Sequence, residues 1–212
     1  MPLKKIYLIR HGQTRFNELG IVQGRGIDAS LNATGRQQAE MFYRAYQNVP
    51  FDKIYISSLK RTYESVAGFI AAGIPYEVHT GLDEISWGEH EGAKASPERN
   101  AYFRELVAAW NNGNTAMRIA GGESPEDVAA RQKPVIEGIV AAPEETVLVC
   151  MHGRAMRILL CQLLNKPLAT MDSFGHHNLG LYILAYKDNT FAVLEADSTV
   201  HLKGNDPAAP QK

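Results

Sequence analysis

The sequence predicts an α/β fold built on a largely parallel sheet with helices on both faces. Three observations carry this. Short apolar runs alternate with helix-patterned segments along the chain, the order that produces parallel strands. Two of those runs, Ile6 to Ile9 and Val147 to Met151, end abruptly in His-Gly pairs, His11-Gly12 and His152-Gly153. The second run shows no polar alternation, as expected of a strand covered on both faces.

Taken in order, residues 4–9 read as the first strand. Residues 12–33 show little periodicity and read as a long loop; structureless loops of that length are uncommon unless functional. Gly24-Arg25-Gly26 sits in a dinucleotide-like spacing, but no adequate strand precedes it and no helix opens after it, so that reading is set aside. Residues 34–47 carry Ala39, Phe42, Tyr43 and Tyr46 at helical spacing, with Thr34 or Asn32 as the cap. Asp52 to Ile56 is a second strand. Ser57 or Ser58 would cap the next helix, which runs through Ala72 and stops at Gly73 and Pro75. Tyr76 to His79 is a third, short strand.

Residues 81–122 change character and read as an excursion over the sheet edge, a lid, with one amphipathic run from Ser96 to Trp110. Ser124-Pro125-Glu126-Asp127 opens a helix to about Val140, its acidic first turn suited to the dipole. Thr146 to Met151 is the central strand, and Gly153 to Leu164 a helix. Tyr182–Tyr186 and Phe191–Glu195 read as an edge hairpin. The expected organisation is one domain over 1–204, with a cap at about 88–122 and a disordered tail at 205–212.

The 22 Lys and Arg against 23 Asp and Glu leave a net charge of −1. No basic excess exists to hold nucleic acid or a membrane surface. Any strong anion site is therefore made locally. No window approaches the ~20 apolar residues of a membrane span, and Met1 to Lys5 lacks a signal-peptide run, so a cytoplasmic protein is expected. Cys150 and Cys161 lie in apolar surroundings and read as buried thiols. The strand edge at Tyr182 to Glu195 leaves open pairing with a second copy, a homodimer.

The chemistry gathers at strand ends. Arg10 and His11 end the first strand, Arg61 follows the second, Glu84 the third, and His152 ends the central one. In open α/β sheets that carboxyl edge is where ligands bind. Two arginines, two histidines and a carboxylate suit phosphoryl chemistry. A phosphomonoester carries about −1.5 to −2 charges, and Arg offers planar, permanently charged donors that match its oxygens. A neutral His can attack phosphorus when a hydrogen bond holds its other nitrogen. Each of these residues alone has an ordinary structural reading. Glu89-His90-Glu91 and His176-His177 read as solvated or supporting groups rather than metal ligands.

Leu8-Ile9-Arg10-His11-Gly12-Gln13-Thr14 with Asn17 resembles the histidine phosphatase, or phosphoglycerate mutase-like, superfamily. Gln23-Gly24, Ser57 to Arg61, Glu84 with Gly88, Gly122-Glu123-Ser124 with Arg131, and His152-Gly153 extend the likeness over roughly 4–200. The resemblance implies an α/β/α sandwich with a mixed, mostly parallel sheet. It implies His11 as phosphoryl acceptor, with Arg10, Arg61 and His152 on the phosphoryl oxygens and Glu84 as general acid/base. Asn17, Gln23, the Gly24 backbone and the Gly153 amide would complete the pocket for a small-molecule phosphate ester. No metal or organic cofactor is implied.

The superfamily holds phosphatases and mutases. Mutases read Glu-Arg-His-Tyr-Gly where this chain has Glu84-Ile85-Ser86-Trp87-Gly88, and Trp-Arg-Arg where it has Trp110-Asn111-Asn112. A mutase must grip a second anionic group, so these lost arginines point to net hydrolysis. Arg99, Arg104 and Arg118 remain as candidates to grip such a group, against the simpler reading of solvated helix cations. Trp87 and Trp110 read as packing residues.

Overall fold

A computed structural model describes residues 3–94 and 96–203; the expected tail lies outside the described residues. In chain order the elements are β1 (Lys4–Arg10), α1 (Arg15–Leu19), α2 (Ala33–Tyr46), β2 (Lys53–Ile56), α3 (Lys60–Ala71), β3 (Tyr76–Val78), α4 (Pro97–Asn111), α5 (Pro125–Ala141), β4 (Thr146–Met151), α6 (Gly153–Leu163), β5 (Leu181–Lys187) and β6 (Thr190–Ser198).

The six strands form one mixed sheet in the order β3-β2-β4-β1-β5-β6. β1, β2, β3 and β4 run parallel, β5 runs antiparallel to β1, and β6 turns back antiparallel to β5. β4 lies between β1 and β2, which explains its uninterrupted apolar run: five of its six residues are buried. Side chains alternate across the pleat. Val147, Val149 and Met151 join one buried cluster with Trp110 of α4, Val128 of α5 and Met156 of α6. Leu148 and Cys150 join the other, with Phe42 of α2 and Phe69 of α3. Two apolar faces covered by two sets of helices make the three-layer α/β/α sandwich. Both cysteines are buried and free, and no helix among the described residues is long and apolar enough to cross a membrane.

Several local expectations are corrected. The stretch 12–33 is not all loop. Thr14 caps α1 through a reciprocal capping box with Asn17. The helix has five residues and buries none of them, so no apolar period announces it. Asn32, rather than Thr34, caps α2, accepting the Gly35 amide at 2.8 Å. Neither Ser57 nor Ser58 caps α3, whose N-cap is Leu59 with no side-chain bond. The Ser58 amide and hydroxyl instead donate to Asp83 Oδ1, at 2.9 and 2.8 Å. The hairpin is only half an edge: β5 is flanked by β1 and β6, and β6 is the outer strand. Within the excursion, Leu106 and Trp110 are fully buried in the same cluster as Leu8 and Val147. Trp87 and Trp110 pack against each other with ring centroids 5.9 Å apart.

Candidate active site

Sheet register brings the distant motifs together. Ile9 pairs with Cys150 and Arg10 with Met151, while Ile56 pairs with Cys150 from the other side. His11 and His152 therefore leave the sheet at the same level, and Ser57 lies one register step behind them, from three adjacent strands. The rings of His11 and His152 stand 5.1 Å apart between centroids. The Arg-His-Gly turn is backed by α2 at a distance that only glycine allows: a Cβ on Gly12 would fall 2.7 Å from the Gly35 carbonyl oxygen. The Gly12 amide donates to Ser65 Oγ at 2.9 Å, tying the turn to α3.

His11 is 3% exposed. Its Nδ1 lies 2.7 Å from the Gly12 carbonyl oxygen. A carbonyl only accepts, so Nδ1 carries the hydrogen and Nε2 keeps its lone pair. Burial first, then the Arg61 and Arg10 charges, holds the His11 imidazole well below the ordinary histidine range. Burial and Arg61 do the same to His152. Both rings are neutral near pH 7.

Arg61 is completely buried. Its Nε donates to His152 Nδ1 at 3.2 Å, Nη1 to the Ile27 carbonyl at 2.6 Å and Nη2 to the Gly24 carbonyl at 3.3 Å. Burial, partly offset by Glu84 and Asp28, pushes its pKa down to about 10, so the guanidinium stays charged near neutrality. His152 Nε2 then carries the ring hydrogen and donates to Ser57 Oγ at 2.7 Å. Arg61 and His152 thus brace each other as well as facing the site. Arg10 Nη1 donates to the His176 carbonyl at 2.7 Å, while its Nε is buried without a partner among the described residues.

Glu84 reaches the site from the segment after β3 and is 7% exposed. Its Oε1 accepts the amides of Ile85 and Ala155, both at 2.9 Å, and Oε2 accepts the Arg154 amide at 3.1 Å. The carboxylate therefore sits on the open amides of the first turn of α6, the electropositive end of that helix. Arg131 holds the loop behind it, donating to the carbonyls of Gly81, Asp83 and Glu84 and to both Glu123 oxygens.

The expected pocket residues are placed as follows. Asn17 Oδ1 accepts from Thr14 N at 3.1 Å and from Asn178 Nδ2 at 3.3 Å. Gln23 Oε1 accepts the Thr14 hydroxyl at 2.7 Å, and Gln23 Nε2 is buried without a partner among the described residues. Gly24 offers its carbonyl to Arg61, and Gly153 starts α6 beside Arg10. Two of the three cap arginines are engaged within the cap and its flanks. Arg118 pairs with Asp127 at 2.8 Å, and Arg99 donates to the Lys94 carbonyl at 3.2 Å. In the sequence Ser57 reads only as a helix cap and as part of a matching stretch, and two further contributors escape sequence reading: Ser65 and Asn178, whose Nδ2 donates to the His11 carbonyl at 2.9 Å. Ser57 shares with His152 a place at a strand's carboxyl end, a signal that could have found it. The other two carry none. Among the described residues no group of three His, Cys, Asp or Glu is placed to hold a metal ion.

The chain is similar to known proteins over nearly its whole length. Residues 6–199 match the family model of the histidine phosphatase superfamily (branch 1). The chain is 29% identical over 201 residues to phosphoserine phosphatase 1 of Hydrogenobacter thermophilus, covering 93% of this chain and 94% of that one. It is 36% identical over 166 residues to 6-phosphofructo-2-kinase/fructose-2,6-bisphosphatase of Gallus gallus, covering 77% of this chain. The match spans only 33% of that longer protein. Among solved structures, Bacillus stearothermophilus YhfR superposes with a TM-score of 0.83 at 27% identity, covering 94% of this chain and all of that one. Mycobacterial glucosyl-3-phosphoglycerate phosphatase, in complex with VO3, superposes at 0.82 with 26% identity, covering 92% of this chain and all of that one. With strand-end histidines adjacent, a buried arginine bonded to one of them and a family model spanning nearly its whole length, the chain belongs to the histidine phosphatase superfamily, branch 1, and is a phosphatase.

Proposed function

We propose that this protein hydrolyses the phosphomonoester of a small phosphorylated metabolite through a phosphohistidine on His11. The observation that carries the reading is the His11 Nδ1 bond to the Gly12 carbonyl, which leaves Nε2 as a neutral nucleophile. Nε2 attacks phosphorus and the ester P–O bond breaks. Glu84, protonated on Oε2, gives that proton to the leaving alkoxide; Oε2 has accepted only one amide and keeps a lone pair for the role. The Glu84 carboxylate then takes a proton from water as the water oxygen attacks phosphorus. The P–N bond breaks, its electron pair returns to His11, and inorganic phosphate leaves. Arg10, with its unspent Nε, and the charged Arg61 stabilise the equatorial oxygens as negative charge builds. Asn17, Gln23, Gly24 and Gly153 shape the pocket around them.

Hydrolysis is favoured over mutase chemistry by the residue after Glu84. Ile85 is fully buried in the main core cluster, and Asn111 and Asn112 at the end of α4 carry no charge, so none of the three offers a cation to a second anion. The relatives' names refer to phosphoserine, fructose 2,6-bisphosphate and glucosyl-3-phosphoglycerate; their common class is a small phosphorylated metabolite. The test is phosphate release from p-nitrophenyl phosphate and from a panel of phosphorylated metabolites, with His11→Ala as control. Interconversion of phosphoglycerates without phosphate release counts against the reading.

A further inference from the structure

The segment 174–180 is clamped over the end of β1 more tightly than a connecting loop needs. The Arg10 guanidinium donates to the His176 carbonyl at 2.7 Å, the Leu179 amide to the Arg10 carbonyl at 3.0 Å, and Asn178 Nδ2 to the His11 carbonyl at 2.9 Å. From behind, Asp197 accepts the His177 amide and ring, at 3.0 and 2.6 Å, and the Tyr182 hydroxyl donates to the Gly175 carbonyl at 2.8 Å. Within this clamped segment, neither nitrogen of the His176 ring has a hydrogen-bond partner among the described residues.

The position of that ring is informative. A Cβ on Gly153 would lie 2.8 Å from His176 Cδ2 and 3.3 Å from Arg10 Nε. The imidazole and the guanidinium edge thus share the space over the first residue of α6, directly after His152. Arg10 Nε is itself buried and unpartnered. A buried donor without a partner calls for one, and the half-buried His176 ring beside it brings a second nitrogen to the same place. Burial, then Arg157, Arg10 and Arg154, push the His176 pKa down to about 3. The ring is therefore neutral, with one N–H to give.

The geometry points to His176 as a substrate-contacting residue, a third imidazole that donates its ring N–H to the phosphoryl group beside Arg10 Nε. This rests on the reading of His11 and Arg10 as the phosphate site. The backbone carbonyl of His176 aims Arg10, and its ring adds a donor on the same side. Substitution of the side chain leaves the carbonyl in place, so the two roles separate cleanly.

The experiment is calorimetric binding of inorganic phosphate to the full chain, with p-nitrophenyl phosphate kinetics alongside, for wild type, His176→Phe, His176→Ala and His176→Gln. Loss of one hydrogen bond to a charged acceptor is expected to weaken phosphate binding by about tenfold or more in the Phe and Ala variants. KM should rise with it while kcat changes less. The Gln variant, which restores an N–H, should recover part of the loss, and the Phe variant should keep the wild-type unfolding midpoint. Wild-type affinity in the Phe variant overturns the assignment. So does an equal loss in all three with a lowered unfolding midpoint, which is the signature of packing alone, and so does a wild type that binds no phosphate. Phosphate binding without turnover of p-nitrophenyl phosphate sinks the hydrolase reading and leaves this one standing.

Discussion

Arg61 Nε donates to His152 Nδ1 at 3.2 Å, and this one bond sets which nitrogen of His152 carries the hydrogen. The ring hydrogen goes to Nε2 and from there to Ser57. An arginine with no solvent exposure thereby fixes a tautomer, clamps the loop at Gly24 and Ile27, and supplies charge to the site.

Arg61→Ala would strand the buried Gly24 carbonyl, the half-buried Ile27 carbonyl and one buried ring nitrogen. At about 1–3 kcal/mol for each buried group left unpaired, unfolding free energy in urea should drop by roughly 3 kcal/mol or more. Arg61→Lys keeps the charge but not the planar fork. Its kcat should fall on the order of 100-fold, the scale for a lost transition-state donor. A Lys variant with wild-type kcat and stability contradicts the bracing role.

Acid quenching during turnover of a 32P-labelled monoester should trap acid-labile label on the wild-type chain. His11→Asn should carry none, and its kcat should fall on the order of 10⁴-fold or more. Label retained by the Asn variant places the nucleophile elsewhere.

Glu84→Gln should still fold, because an amide oxygen accepts the Ile85 and Ala155 amides and only the Arg154 amide bond is lost. Its loss is the proton donor, worth about 10²–10⁴ in rate. The deficit should be large for an alkyl phosphate and small for p-nitrophenyl phosphate, whose leaving group needs no proton. Equal deficits on both substrates rule out general-acid catalysis by Glu84.

Arg131→Ala removes three bonds to the carbonyls that shape the Glu84 loop. As a positioning residue it should lower kcat more than it raises KM, with the larger deficit again on alkyl phosphates. A pure rise in KM would argue that Arg131 meets the substrate directly.

Stability should depend on pH through the buried histidines. His11 and His152 are held well below the ordinary range by burial. Folded-state pKa values are depressed, so below about pH 6.5 the unfolded chain binds protons that the folded chain does not. Their contribution is fully present above that pH and is lost as pH falls toward the folded values. Each group accounts for about 1.4 kcal/mol per pH unit in that window. Urea titrations from pH 7.5 to 5 should show unfolding free energy declining from about pH 6.5, with a shallower slope in His11→Asn. A flat profile over that range would show that neither ring is held neutral.

Much of the site was legible because it is written at strand ends. Arg10, His11 and His152 directly follow apolar runs, and strand polarity alone sends such residues to one edge of a parallel sheet. The short helix α1 was not legible, since it buries nothing and so has no period. Asn178 and Ser65 were equally silent, and His176 reads only as a solvated or supporting group. Each acts through a contact with a residue far away in the chain, and no local pattern records such a contact.

The sequence by itself determined the sandwich, the two His-Gly turns and the chemistry that they permit, because these follow from hydrophobic periodicity and residue type over short spans. Only the tertiary structure decided how the donors are spent: Arg61 bound to His152 and two carbonyls, Glu84 seated on the α6 amides, and His176 held with its ring free. Hydrogen-bond partners are allotted by register and burial, and those exist only once β1, β2 and β4 lie side by side.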